Sequence, residues 1–195
     1  MPLLSIVIPT KNRYEYLFPV LDASIQYIAG SDYEIVVQDN THDNSPAIEY
    51  FLRQTDPRIK YFHSPEPVDI VTNTNRAIMN STGKYLVFIG DDDFVSPYIL
   101  DIVGLIDSLS IQNLTYSPGN YYWPGVQFAH RSRFHRVCTM QLYKSASIGI
   151  TKKKSSDELD RVLAKGGCYY LGFPRFYHGI LSRNLLERIK SAFGG

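Results

Sequence analysis

The stretch Tyr85-Leu86-Val87-Phe88-Ile89-Gly90-Asp91-Asp92-Asp93 runs from an apolar segment into three consecutive carboxylates. A run of Tyr, Leu, Val, Phe and Ile reads as a buried strand. Three carboxylates at its exit repel one another and are costly to bury together. A divalent cation relieves that repulsion, and all-oxygen donor sets suit Mg2+ and Mn2+. Mg2+ is commonly held by one or two carboxylates, with substrate phosphates completing its shell. The segment therefore points to a metal-bridged phosphate site at the carboxyl edge of a sheet. The plainer reading is a solvated acidic turn ahead of the helix that Ser96-Pro97 opens.

Upstream of this stretch, strands and helices alternate. Residues 4–8 form a short β-branched strand that Pro9 should stop. Residues 14–28 carry Leu17, Val20, Leu21, Ile25 and Ile28 on one helical side. A second strand, 34–38, ends in Asp39-Asn40. A helix over 45–54 has Pro46 in its first turn. A third strand spans 59–62. A helix over 71–80 precedes Gly83, which suits a C-cap. The fourth strand, 85–89, is followed by a helix over 97–110. This alternation implies βαβ units and a mostly parallel sheet flanked by helices, an α/β fold. In such sheets ligands bind beyond the carboxyl ends of the strands. Pro9-Thr10-Lys11-Asn12-Arg13, Asp39-Asn40 and Asp91-Asp92-Asp93 all fall at those ends.

The alternation stops after Leu109. Short strands are expected at 113–117, 127–134 and 137–143, then a helix over 156–164. An aromatic extended stretch covers 169–177, and an amphipathic helix covers 184–193. Lys152-Lys153-Lys154 reads as a solvated face.

Bulk properties narrow the function. The chain has 195 residues, 44% hydrophobic, with a formal charge of +1. No global field recruits nucleic acid, so an anionic ligand must be held by local groups. The two cysteines, Cys138 and Cys168, form no Cys-x-x-Cys pair. That argues against a zinc site or disulfide framework and for a reducing compartment. The start lacks the basic and apolar regions of a signal peptide, and no apolar run nears the ~20 residues of a membrane span. Gly-x-Gly-x-x-Gly is absent, and Gly83-Lys84 lacks the rest of a P-loop.

Together these residues resemble the inverting glycosyltransferases of family 2, which have the GT-A fold. The resemblance rests on residues 5–13, 34–45, Asn75-Arg76-Ala77-Ile78, Thr82-Gly83-Lys84-Tyr85 and 88–97. It is strong over residues 3–110 and looser through residues 176–183. It implies a nucleotide-sugar-binding half, 1–110, and an acceptor-side half, 111–195, in one compact domain. The abrupt stop at Gly194-Gly195 suggests a truncation within the acceptor side.

The resemblance also implies roles. Pro9, Thr10, Asn12 and Arg13 would form the turn around the nucleotide. Asp39 would accept a hydrogen bond from the base, or else cap the helix after Ser45. Asn75 and Arg76 would lie near the same cleft. Gly90 stands where many members carry the first Asp of Asp-x-Asp. Asp91 is therefore assigned to the ribose or the metal shell, Asp92 to the principal metal ligand, and Asp93 to the shell or a loop anchor. The cofactor would be Mn2+ or Mg2+.

The implied reaction moves a sugar from a UDP-type donor to a saccharide or lipid-linked saccharide acceptor, with inversion. Bacterial surface polysaccharide synthesis would be its setting. The chain would then be cytoplasmic, with peripheral association at the inner face of the membrane. The general base is unknown; His178 and Asp157 are the weak candidates in this sequence. Two rival readings stand beside this one. One is a non-catalytic nucleotide-sugar-binding domain. The other is a nucleotidyltransferase, although that class normally carries a glycine-rich loop after the first strand and this chain has none.

Overall fold

Strands buried on both faces need cover on both sides of the sheet, and alternating helices supply it. The computed structural model describes residues 1–115, 154, 156, 157, 160, 164 and 179–193. Its elements are β1 (Leu4–Thr10), α1 (Tyr14–Tyr27), β2 (Tyr33–Asp39), α2 (Ser45–Arg53), β3 (Ile59–His63), α3 (Ile70–Asn80), β4 (Tyr85–Phe88), α4 (Ile99–Ser108), β5 (Asn113–Thr115), β6 (Gly179–Ser182) and α5 (Arg183–Phe193). The sequence-expected strands 127–134 and 137–143, the stretch 169–177 and both cysteines lie outside the described residues.

The chain divides into two compact units, Met1–Thr115 with Pro174–Gly195, and Tyr116–Phe173. In the first unit the sheet order is β3-β2-β1-β4-β6-β5. β3, β2, β1 and β4 run parallel, and β6 pairs antiparallel with both β4 and β5. This is the mostly parallel, helix-flanked sheet that the alternation implied. The chain winds outward from β1 to β3, then α3 carries it back to place β4 on the other side of β1. The winding direction thus reverses between β1 and β4. Every residue of β1 and β2 is buried. Leu17, Val20 and Leu21 of α1 and Val103 and Ile106 of α4 supply buried helix faces.

Two local expectations are corrected. Pro9 does not stop β1, which continues to Thr10. The Thr10 carbonyl accepts from Asn40 N on the β2 side, while the Val7 carbonyl accepts from Ile89 N on the β4 side. By alternation Pro9 faces β4, beyond the last β1–β4 pair, Val7 with Phe88. Its missing N–H falls where the next β1–β4 ladder bond would form, so the proline ends that pairing while β1 continues against β2. Gly83 is not the C-cap of α3; that position is Ser81. Gly83 is needed because β1 passes so close that an added Cβ would lie 2.5 Å from Ser5 N and 2.7 Å from Leu4 C.

The same crossing buries a charge. Glu34 on β2 lies opposite Ser5 on β1 and accepts its hydroxyl at 2.6 Å. Glu34 also accepts Lys60 Nζ from β3 and the backbone N–H groups of Thr82 and Gly83. One carboxylate thus fastens three strands and the turn into β4. Burial raises its pKa, but these donors outweigh burial and hold it below the ordinary range. On the far side of β4, Arg183 at the start of α5 donates to the Gly83 carbonyl at 2.8 Å and to Ser81 Oγ at 2.9 Å. That contact ties β6 and α5 to the same turn.

Glu34→Ala is expected to cost about 3 kcal/mol at neutral pH, because it strands several buried donors. Glu34 has a depressed folded-state pKa, so its contribution is full above the ordinary glutamate range and lost as pH falls through it. Urea denaturation at neutral pH and below pH ~4 checks both points: the gap between wild type and variant should shrink in acid.

Candidate active site

Three chain segments meet at the carboxyl ends of β1, β2 and β4, where the winding reverses. β1 ends at Thr10, and its hydroxyl donates to Asp91 Oδ2 at 2.7 Å. Asn12 follows with φ 57°, the left-handed region that asparagine tolerates better than most residues. That turn brings Arg13 to the start of α1 and aims its side chain back across the sheet end. Arg13 Nη1 lies 3.0 Å from Asp91 Oδ1, and Nη2 lies 2.5 Å from Asp92 Oδ2. Asp91 is buried and Asp92 is half-buried. Burial pushes the Asp91 carboxyl above the ordinary range, against the opposing pull of Thr10 and Arg13, and Asp92 adds to the rise. The two carboxylates raise the Arg13 pKa by more than burial lowers it.

Asp39 lies beside this pair. It is the register partner of Thr10, and the Asn40 N–H after it bonds the Thr10 carbonyl at 3.0 Å. Its carboxylate is fully buried. Oδ1 accepts Thr41 N at 2.8 Å, and Oδ2 accepts Tyr14 OH at 2.6 Å and Tyr61 OH at 2.7 Å. Asp39 does not cap α2; Asp43 accepts Ser45 N instead. The phenols of Tyr14 and Tyr61 are pushed well above their ordinary pKa, by burial first and the carboxylate second. Thr41 in turn accepts Asn12 N through its hydroxyl at 2.8 Å, and its carbonyl lies 2.7 Å from His63 Nε2. The Asn12 turn and the Asp39 loop are thus locked to each other.

Helix α3 closes the floor beneath them. Of the residues expected there, Asn75 is exposed. Arg76 is half-buried; its Nη1 lies 3.9 Å from Glu66 Oε2, and that atom has no hydrogen-bond partner among the described residues. The residue that touches the strand ends is Asn73, whose Nδ2 donates to the Thr10 carbonyl at 3.3 Å and the Gln38 carbonyl at 3.1 Å. Sequence reasoning missed it. The available signal was its position two residues before Asn75, on the face of α3 that also carries the buried Ala77.

The donors around Asp91 and Asp92 are oxygens, the kind Mn2+ and Mg2+ take. Among the described residues, no three His, Cys, Asp or Glu side chains converge into a cage. A cation here would be held by Asp92 and its neighbours, with the remaining ligands coming from a bound phosphate. That is a common arrangement for Mg2+. Asp93 N donates to the Gly90 carbonyl at 3.2 Å, which closes the turn after β4. Asp157 is exposed and accepts Ser156 Oγ at 3.0 Å. His178 lies outside the described residues.

Comparison with known proteins identifies the family. The model of glycosyl transferase family 2 matches residues 5–172. GalNAc(5)-diNAcBac-PP-undecaprenol beta-1,3-glucosyltransferase of Campylobacter jejuni is 35% identical over 95 residues. That alignment covers 48% of this chain and 30% of the relative, so the match spans well under half of the relative's length. Among solved structures, Staphylococcus aureus TarS 1-349 superposes with a TM-score of 0.61 at 18% identity, covering 97% of this chain and 49% of its own. Mannosyltransferase PcManGT from Pyrobaculum calidifontis, solved with GDP-Man and Mn2+, gives 0.58 at 16% identity, with coverages of 96% and 46%. At these identities the superpositions speak for the fold, which is that of GT-A glycosyltransferases.

Tyr61→Phe removes one hydroxyl from Asp39 and is expected to cost about 1–2 kcal/mol in urea denaturation. Tyr14→Phe should cost a similar amount. Losses under about 0.5 kcal/mol for both would show that these bonds do not hold the loop.

Proposed function

The chain belongs to glycosyl transferase family 2, and from that membership we propose that it moves a sugar from a nucleoside-diphosphate donor, UDP-linked in the first instance, to an acceptor hydroxyl with inversion. The observation that carries this reading is the meeting of Thr10, Arg13, Asp39, Asp91 and Asp92 at one rim, where the winding of the sheet reverses. Open α/β sheets bind their ligands at that point. The complex of the Pyrobaculum mannosyltransferase with GDP-Man and Mn2+ supports a nucleotide sugar and a divalent cation. The name of the Campylobacter relative supports a lipid-linked saccharide as acceptor. Such an acceptor would bring the chain to the inner face of a membrane. No helix among the described residues is long and apolar enough to cross one.

The residues divide the work by exposure. Pro9, Thr10, Asn12 and Arg13 form the turn that wraps the nucleotide, with the Arg13 guanidinium close enough to meet a phosphate. Asp39 accepts two phenols on Oδ2 and one backbone N–H on Oδ1, three of the roughly four bonds a carboxylate can take. In this reading it holds the 40–41 loop in the shape that faces the base, and its remaining acceptor position on Oδ1 is the one a base N–H would use. Asp91 is the buried anchor on which Asp92 is presented. Asp92, half-exposed, would hold Mn2+ or Mg2+, with Asp93 supporting the turn. A bound divalent cation would offset the charge that grows on the leaving diphosphate. The acceptor oxygen attacks the anomeric carbon from the face opposite that diphosphate, which gives inversion. A basic side chain on the acceptor side takes its proton; its identity is unknown, with His178 and Asp157 as the candidates in this sequence.

Isothermal titration with UDP, with and without Mn2+, tests the donor half. Mn2+ should tighten UDP binding by about tenfold or more, and Asp92→Ala should lose that gain while keeping its thermal unfolding profile. UDP binding that ignores both Mn2+ and Asp92→Ala would contradict the reading. A donor-hydrolysis assay then separates an enzyme from a binding domain.

A further inference from the structure

Arg13 does more than stand near a phosphate position, because its guanidinium spans two acidic side chains at once. Nη1 is 3.0 Å from Asp91 Oδ1, and Nη2 is 2.5 Å from Asp92 Oδ2. A planar fork with two outward donors suits this bridge, whereas a lysine ammonium is a single point. Its charge is permanent, so it offsets the repulsion between successive carboxylates under all ordinary conditions.

The two ends of the bridge are unequal. The Asp91 side chain is 5% exposed, and its other oxygen is occupied by the Thr10 hydroxyl. Parting Arg13 from Asp91 would strand a buried charge, which is expensive. The side chains of Asp92 and Arg13 are each 43% exposed, so water can solvate both when they part, and that end is weak. The weak end lies on the carboxylate that the proposed function assigns to the metal. A guanidinium and a divalent cation drawn to the same carboxylate repel each other. The guanidinium also lies over the Tyr16 ring, 4.8 Å from its centroid. That contact gives it a resting place independent of Asp92.

We propose that Arg13 is the resting counter-cation of the Asp91–Asp92 pair: it keeps Asp91 throughout and gives up Asp92 when a divalent cation and a diphosphate enter. The released Nη2 edge is then available to a phosphate oxygen, so the residue that guards the metal position also receives the donor. This inference rests on the glycosyltransferase reading. It further implies that metal alone binds weakly and that nucleotide and metal bind best together, since a phosphate must replace Asp92 as the partner of Arg13.

The test is Mn2+ titration of the full chain without nucleotide, followed by the electron paramagnetic resonance of unbound Mn2+. Wild type, Arg13→Gln and Arg13→Lys are compared. Arg13→Gln should bind Mn2+ about tenfold or more tightly than wild type, because one positive charge beside the site is gone. Arg13→Lys should fall between them. Thermal unfolding gives a second readout. Arg13→Gln should melt below wild type without metal, Mn2+ should recover most of the difference, and adding Asp92→Ala should abolish the recovery. Equal or weaker Mn2+ binding by Arg13→Gln, while wild type binds UDP in a Mn2+-dependent way, overturns the counter-cation role alone. A wild-type chain that binds no UDP with Mn2+ present overturns the parent reading along with it.

Discussion

A buried carboxylate at the reversal of the sheet holds the site together. Asp91 leaves β4 at the point where β1 ends, and both of its oxygens are engaged by the β1 side, one by the Thr10 hydroxyl and one by Arg13. β1 and β4 pair only as far as Val7 and Phe88. Beyond that the two strand exits would part, and a cleft would open with nothing fixing its width. The Asp91 contacts set that width. They also fix the first turn of α1, because Arg13 is both the residue that opens the helix and the residue that grips the acid. Asp92 inherits its position from this arrangement and contributes the exposure that a ligand requires.

A second buried carboxylate, Glu34, performs the matching task within the sheet. It joins β1, β2, β3 and the turn into β4, so the strand ends that carry Thr10, Asp39 and Asp91 share one rigid base. Buried charges of this kind are tolerated only when their partners are complete. Glu34 meets that condition outright, while Thr10 and Arg13 offset the burial of Asp91 in part, and in both cases the partners come from distant parts of the sequence.

The separation of those partners explains what the sequence disclosed and what it withheld. β1, β2 and β4 were legible because strands buried on both faces leave continuous β-branched and aromatic runs. Helix α2 was legible from its opening proline, and α1 from its apolar spacing. Pro9 misled, because its cost depends on which neighbour its missing N–H faces, and that is set by strand order. Gly83 misled too, because its constraint is the backbone of β1, far away in sequence. The reversed strand β6 is a four-residue Gly-Ile-Leu-Ser run, too short to announce itself, and its place between β4 and β5 is a tertiary fact. At the site, the acidic run and the Pro9–Arg13 turn were visible as motifs. The engagement of Asp39 by Tyr14 and Tyr61 was not, because it requires α1 and β3 to close over the end of β2. Asn73 was passed over in favour of Asn75, since a motif cannot say which face of a helix turns inward.

The central claim is that the exits of β1 and β4 form one ligand rim with Asp92 as its half-exposed carboxylate. A crystal structure of the chain with UDP and Mn2+, phased to show the anomalous signal of manganese, tests it most directly. The account predicts a manganese peak within coordination distance of an Asp92 oxygen, a diphosphate between that peak and the Arg13 guanidinium, and Asp91 still bonded to Thr10. A nucleotide seated away from the β1–β4 reversal, or a manganese peak that ignores Asp92, would contradict it.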